Sequence, residues 1–313
     1  MIPTTVVIPT YRRPGPLLDC VRSIIAGRQR PDEIVVVGRE DDAPTREALA
    51  QVRGLCAGKT AFQAGWVIEP GHLPPVWKGL ELTSSDIVAF VDDDVTATSE
   101  WLDHLVAPFA DPSVGVVGGR AVIPGSQRVC PKGKPGWTTW YGKTWGNVAC
   151  LEGGSALEVQ AVQECNWAWR RRLLASLELD PILNFDDASM YGLDLCLQAR
   201  RKGFRVLCEP RAFVFHHVAP RAPALDRSDK PRRMACYSRN YTYIMLKHLP
   251  WWRRPAFLAW WFLIGERGSW GLGAALFDTF TGHLPRGREV WHALTGKVEG
   301  LLLSRLRVHS HGG

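Results

Sequence analysis

What the chain lacks narrows its chemistry first. Its cysteines (Cys20, Cys56, Cys130, Cys150, Cys165, Cys196, Cys208 and Cys236) form no C-x-x-C pair and no finger-like spacing. The sequence therefore predicts reduced, packed thiols, with neither a structural zinc site nor a disulfide framework. No apolar run approaches the roughly 20 residues that span a bilayer; Phe257 to Ile264 is far too short. There is no internal repeat, and no Gly-rich phosphate loop near the first strand-like run. Thr10-Tyr11-Arg12-Arg13-Pro14-Gly15 is a poor substitute for one, which counts against a nucleotidyltransferase. The basic residues are dispersed and no reading module is recognisable, so nucleic acid is not an expected partner. Met1 to Val6 enters a strand-like segment without the pattern of an export signal, and the expected location is the cytoplasm.

What is present is an ordinary folded composition. A hydrophobic fraction of 46% and a charged fraction of 22% exclude both a disordered chain and a multispan membrane protein, and 313 residues suffice for one large α/β domain with an appendage. A net charge of +7 points to an anionic partner, either a phosphorylated small molecule or anionic lipid.

Over the first ~125 residues strand and helix signals alternate. Thr5 to Pro9, Glu33 to Val37, Gly65 to Ile68 and Ile87 to Val91 are apolar runs; Arg13 to Gly27, Ala43 to Val52 and Val76 to Leu82 carry helical spacing. Strands apolar throughout belong to a parallel sheet covered on both faces, a Rossmann-like arrangement with ligands beyond the carboxyl strand ends. Residues 125–154 suggest long loops or a hairpin. Trp167 to Leu177 and Leu193 to Lys202 read as helices, with Gly203 as a stop. Arg205 to Cys208 and Ala212 to Phe215 read as two strands, followed by a polar linker to Arg233 and then helix-like sequence.

Asp92, Asp93 and Asp94 follow the Ile87 to Val91 strand directly. Three adjacent carboxylates repel one another strongly, and a bound Mg²⁺ or Mn²⁺ removes that cost. In extended backbone Asp92 and Asp94 face opposite to Asp93, which gives those two the ligand-facing roles. The competing reading is an Asp-rich turn capping the helix that begins near Ser99.

Taken together, Val6 to Arg13, Phe90 to Val95, Asn184 to Asp187, Asp194 to Arg200 with Gly203, and Pro210 to His216 resemble glycosyltransferase family 2 over about residues 3 to 245. The resemblance implies a GT-A fold, a nucleotide-sugar donor, a divalent cation and inversion at the anomeric carbon. It puts donor binding on Pro9, Thr10, Tyr11 and Arg13, with Asp93 in the same site, nucleotide contact on Asp92 and the metal on Asp94. Pro210, Ala212 and His216 match the P-x-A-x-x-x-H pattern, making His216 a metal or diphosphate ligand.

Two departures stand out. Where the family's second strand often ends in an Asp pair that reads the base, this chain has Gly38-Arg39-Glu40-Asp41-Asp42, so Arg39 or Asp41 substitutes. The acidic pair that usually supplies the catalytic base falls on Tyr191 and Gly192. An attacking hydroxyl must still lose its proton, leaving Asp187 and Asp194 as candidates. Asp194 is preferred because it opens a helix whose macrodipole favours its ionised form. Arg239, in a segment resembling one that follows the family's His, is the expected phosphate contact. Trp137, Trp140, Trp145, Trp167 and Trp169 are mostly core, but Trp167 and Trp169 flank the region where the family meets its acceptor and are expected to stack on it.

The expected layout is a catalytic domain over residues 1–220, with a nucleotide-binding half (1–124) and an acceptor half (125–220), and a helical, basic and aromatic region over 221–313. Trp251-Trp252-Arg253-Arg254 suits either a helix lying on an anionic membrane surface or one packed on the domain or a second subunit. The expected activity is inverting transfer from a UDP- or dTDP-sugar to a saccharide or lipid-linked saccharide of the cell envelope, in the cytoplasm or on the inner face of the membrane. A non-catalytic sugar-nucleotide binder is the alternative.

Overall fold

Strand β1 (Thr4–Pro9) is buried from Thr4 to Ile8 and stops at Pro9, whose ring cannot donate to the ladder. It is the pivot of the parallel part of the sheet, pairing with β2 (Glu33–Arg39) on one side and β4 (Ile87–Val91) on the other; β3 (Ala61–Val67) extends the sheet beyond β2. The crossovers are α1 (Pro14–Ile25), α2 (Ala43–Cys56) and α3 (Leu73–Leu82). Helix α1 buries Leu17, Leu18, Val21, Ile24 and Ile25 at helical spacing, in the same core as Val6, Ile8 and Ile34. At roughly 1.5–3 kcal/mol per fully buried aliphatic side chain, this two-sided burial is what selects uninterrupted apolar strands.

The computed structural model describes residues 2–126, 130, 134–146, 148–185, 190–219, 229–266, 269–273, 276 and 287–310. The chain divides into two units: Met1–Trp137, Trp145–Leu179 and Leu195–Ala222 form the first, and Thr138–Thr144, Asp180–Asp194 and Pro223–Gly313 the second.

In the first unit the sheet continues past β4 in a new sense. After β5 (Val95–Ala97), α4 (Trp101–Val106), β6 (Val114–Val122) and the short strands β7 (Trp137–Thr138), β8 (Thr144–Trp145) and β9 (Leu157–Val159) comes β10 (Asn166–Arg170). Strand β10 lies antiparallel between β4 and β6. Strand β11 (Arg205–His216) runs parallel to β6 and carries β5 antiparallel on its far side, giving the order β3-β2-β1-β4-β10-β6-β11-β5.

Three expectations are corrected here. Residues 167–177 are not one helix: Asn166–Arg170 is a strand and only Arg171–Ala175 (α5) is helical. Two tryptophans two residues apart pack on one face of a pleat, and Trp167 and Trp169 are both fully buried with ring centroids 5.1 Å apart. The two strands expected over 205–215 are one, interrupted by a register shift between Cys208 and Phe213. Cys130 and Cys150 are joined in a disulfide with Cα atoms 5.7 Å apart, which the absence of recognisable spacing hid; the other six cysteines are free. Helix α6 (Tyr191–Arg201) is closed as expected by Gly203, at φ +86°. The linker read over 221–233 falls largely outside the described residues.

The second unit is built on α7 (Lys230–His248), α8 (Arg254–Leu263) and α9 (Gly287–Ser310). Helices α7 and α9 approach closely because Gly296 and Gly300 lack side chains; a Cβ at either would run into the carbonyl of Ala235 or Arg239. Lys297, fully buried, donates to the carbonyls of Trp261, Ser269 and Trp270 at 2.6–3.0 Å. Among the described residues no helix is long and apolar enough to cross a membrane.

Candidate active site

The carboxyl ends of β1, β2 and β4 bring the first group of functional side chains together. Beyond Pro9 the chain turns through Arg12, at φ +55°, and the buried Asp42 fixes that turn by accepting the Arg12 N–H at 2.6 Å while capping α2 through the Thr45 N–H at 3.0 Å. The turn aims Arg13 at the aspartates. Asp93 is fully buried, accepting from Thr10 Oγ1 at 2.7 Å and from Arg13 Nε at 3.1 Å. Burial and the flanking aspartates raise its carboxyl, against the pull of Arg13 and Thr10. Asp93 thus orients Thr10 and Arg13 from a fully buried position.

The alternation expected of extended backbone does not hold here, because the chain turns at Asp93 and Asp94 and the one Arg13 guanidinium reaches both carboxylates. His216 reaches Asp92 and Asp94 through register: β11 pairs with β5 so that His216 stands opposite Val95, one residue past the aspartates. Its Nε2 lies 3.0 Å from Asp94 Oδ1 and 3.7 Å from Asp92 Oδ2. Asp94 also meets Arg13 Nη1 at 2.9 Å and accepts the Ala219 N–H at 2.9 Å. Burial works upward on its carboxyl, but His216, Arg13 and the Ala219 amide overcome it and hold Asp94 at about 2. The Asp94 hydrogen bond raises His216, with burial opposing. The clasp on Asp94 carries strain: Val218, between the His217 amide that bonds the Asp94 carbonyl at 2.9 Å and the Ala219 amide, sits at φ +45°. For a β-branched residue that conformation costs on the order of 1–3 kcal/mol.

Carboxylates at 92 and 94 with an imidazole beside them are a donor set of the kind that holds a hard or borderline divalent cation with open positions for substrate. A third strand end adjoins it. Antiparallel pairing puts Asn166 opposite Val91, so Cys165 falls beside Asp92, whose N–H bonds the Cys165 carbonyl at 3.3 Å. Donor atoms of Asp92, Cys165 and His216 all lie within 4.8 Å of one another. Burial first, then the Asp92 and Glu164 charges, push the Cys165 thiol well up.

A second cluster sits at the tips of β1 and β2. The Arg39 guanidinium lies 3.8 Å from the Tyr11 ring centroid and donates to the Tyr11 hydroxyl, while its Nε and Nη2 reach the Asp41 carboxylate at 2.5 and 2.7 Å. Tyr11 donates to Asp41 at 3.0 Å. Arg39 holds Asp41 well below the usual carboxylate range. The two residues nominated as substitutes for the missing Asp pair are therefore partners of one another.

Asp194 belongs to the second unit, is 1% exposed, and is gripped by His248 Nε2 at 2.7 Å and Lys247 Nζ at 3.0 Å. Burial alone raises its carboxyl, but His248 and Lys247 outweigh burial and lower it. Both carboxylate oxygens of Asp194 are thus engaged, with almost no open surface from which to take a proton. Arg239, also in the second unit and 7% exposed, bonds Glu299 at 2.7 Å through Nε, and the Ile182 carbonyl at 2.9 Å and Asn240 Oδ1 at 2.7 Å through Nη1. Trp167 and Trp169, at 0% exposure in the core, have no face to offer a sugar. Asp187 lies outside the described residues. Cys165 escaped sequence reading because only strand pairing puts it by Asp92.

Residues 5–154 match the model of glycosyl transferase family 2. Over that stretch the chain is similar to glycosyl transferase family 2. An N-acetylglucosaminyltransferase of Rhizobium meliloti (strain 1021) is 29% identical over 226 residues, covering 67% of this chain and 50% of that protein. The chain thus spans about half the length of the curated relative it matches. S. aureus TarS 1-349 in complex with UDP-GlcNAc superposes with a TM-score of 0.61 at 15% identity, over 96% of this chain and 81% of TarS. The mannosyltransferase PcManGT of Pyrobaculum calidifontis, in complex with GDP-Man and Mn²⁺, gives 0.55 at 16% identity, over 96% and 87%. These likenesses establish the GT-A fold for this chain.

Proposed function

We propose that the chain is an inverting, cation-dependent glycosyltransferase that moves a sugar from a UDP- or dTDP-linked donor to a saccharide or lipid-linked saccharide of the cell envelope. One observation carries the reading: His216, more than a hundred residues downstream, stands 3.0 Å from Asp94 and 3.7 Å from Asp92 at the carboxyl edge of the sheet. Structural neighbours bound to UDP-GlcNAc, or to GDP-Man with Mn²⁺, support a nucleotide-sugar donor and a divalent cation.

Asp94 and His216, with Asp92 beside them, hold the cation, Mn²⁺ or Mg²⁺, which when bound offsets charge on the departing diphosphate. Tyr11, stacked on Arg39 and bonded to Asp41, offers a flat polar surface for the nucleoside. Thr10 and Arg13, steadied by Asp93, line the approach to the phosphates. The acceptor oxygen attacks the anomeric carbon opposite the diphosphate. The bond from that carbon to the phosphate oxygen breaks, its electron pair leaves with the diphosphate, and the hydroxyl proton passes to a base. Asp187 is the remaining candidate for that base.

The test is a thermal-shift screen of nucleotide sugars with and without Mn²⁺, since a ligand that binds only the folded state raises its midpoint. A UDP- or dTDP-sugar should raise the midpoint in the presence of Mn²⁺, and Asp94→Ala should abolish that shift. Undiminished transfer in excess EDTA would sink the reading. A donor that binds but is never turned over would make the chain a sugar-nucleotide binder instead.

The location proposed is the cytoplasm, peripheral on the inner face of the membrane. In the second unit Trp251 and Trp252 are 78% and 56% exposed beside Arg253 and Arg254, the pairing of aromatic and cationic groups that suits an anionic lipid surface.

A further inference from the structure

We propose that Cys165 is a thiol ligand of the cation site, so that this chain's metal preference is shifted from Mg²⁺ towards softer divalent ions such as Co²⁺, Zn²⁺ and Cd²⁺. The inference deepens the proposed function and rests on its cation.

Three strand ends make the cradle. The register of β10 against β4 puts Cys165 at the residue before Asn166, which faces Val91, and the Asp92 amide fastens it there at 3.3 Å. The register of β11 against β5 brings His216 in from the other side. A carboxylate oxygen of Asp92, the Cys165 sulfur and a His216 nitrogen then lie within 4.8 Å of one another. Metal bonds of roughly 2.0–2.3 Å need donor atoms within about 4.5 Å, so small side-chain adjustments close the shell. Cys165 is a free thiol and only partly buried, whereas the other free cysteines are buried. Asn166 keeps the strand end rigid: it accepts from Trp101 Nε1 at 2.8 Å and donates to the carbonyls of Arg120 and Ala212 at 3.1 and 3.0 Å.

Sulfur changes what the site selects. Carboxylates with imidazole suit Mg²⁺ and Mn²⁺, whereas a thiolate added to them favours borderline and soft ions through more covalent bonding. A cysteine serving only as a small apolar filler at this point would leave metal choice untouched.

Cobalt reports sulfur ligation directly. The full-length chain is titrated with Co²⁺ and followed in the near ultraviolet, where sulfur-to-cobalt charge transfer absorbs, with Mn²⁺ binding followed in parallel by electron paramagnetic resonance. The expected result is a charge-transfer band that saturates with one bound cobalt in wild type and is lost in both Cys165→Ser and Cys165→Ala, while each variant still binds Mn²⁺. Cobalt bound without the band, or a band that persists in both variants, overturns the proposal and leaves the cation site standing. If wild type binds neither Mn²⁺ nor Co²⁺, the cation reading fails and the proposal fails with it.

Discussion

Replacing Asp194 by Asn keeps the side chain's volume and removes its charge, which separates an anchor from a catalytic base. The wild-type carboxylate is 1% exposed and faces Lys247 and His248, themselves 7% and 4% exposed, at 3.0 and 2.7 Å. Breaking a buried pair costs roughly 3–5 kcal/mol, because the remaining charge stays buried without compensation. Lys247 retains Asp180 at 3.1 Å, and Asp180 is in turn held by the Tyr243 hydroxyl at 2.6 Å, which places the loss near the low end, about 3 kcal/mol. With a urea slope of about 2–3 kcal/mol/M the midpoint of the second unit falls by about 1–1.5 M. The acid limb changes too. Because His248 and Lys247 hold the folded carboxyl below its ordinary 3.8, the unfolded chain takes up the proton first as pH falls. The stabilisation is fully present above about pH 4 and is lost on descending through the folded value. Urea melts of wild type and Asp194→Asn between neutrality and strong acid should converge at the acid end. A variant as stable as wild type yet without transfer activity would restore Asp194 as the base and refute the reasoning.

Two further outcomes follow from the surface and the covalent frame. The disulfide between Cys130 and Cys150, separated by 20 residues, restricts the unfolded chain by about 3 kcal/mol, so Cys150→Ser should lower the melting point of the oxidised protein to that of the dithiothreitol-treated wild type; identical melting with and without reductant would argue against the bridge. Flotation with vesicles should carry the protein with anionic but not zwitterionic lipid, and Trp251→Ala with Trp252→Ala should leave it in the pellet fraction; equal flotation of the double variant would dismiss these tryptophans as the contact.

The parallel half of the fold was legible because its signal is local: Val6 to Ile8 and Ile87 to Val91 are apolar throughout, and Leu17, Val21, Ile24 and Ile25 recur with helical period. The face alternation expected at 92–94 failed, because it assumed extended backbone where the chain turns and a single Arg13 guanidinium meets both Asp93 and Asp94. What was not legible depends on partners far along the chain. Asn166 to Arg170 fits either period over so short a run, and only placement between β4 and β6 makes it a strand and seals Trp167 and Trp169 inside. Asp194 opens a helix whether it is a base, a cap or an anchor; the partners that bury it, Lys247 and His248, lie more than fifty residues on. The partners of Arg239, Glu299 and the Ile182 carbonyl, are likewise distant in sequence.

Register explains why single residues could be named before the site could be assembled. A slip of one position between β11 and β5 turns every side chain of that stretch to the other face, bringing Phe215 or His217 to the aspartates in place of His216. A slip between β10 and β4 does the same at Asp92, exchanging Cys165 for Glu164 or Asn166. Most of these alternatives change the chemistry offered to a cation, Phe215 removing the imidazole and Glu164 or Asn166 the sulfur, although composition, local spacing and the aspartate triplet stay as they are. The buried Asn166, bonding α4, β6 and β11 at once, opposes the second slip, because moving it would leave the Trp101 indole and the Ala212 carbonyl buried without their partner. The polar core beneath the site is therefore part of what specifies its ligands, and its sequence signature is one asparagine opening a strand that carries two tryptophans.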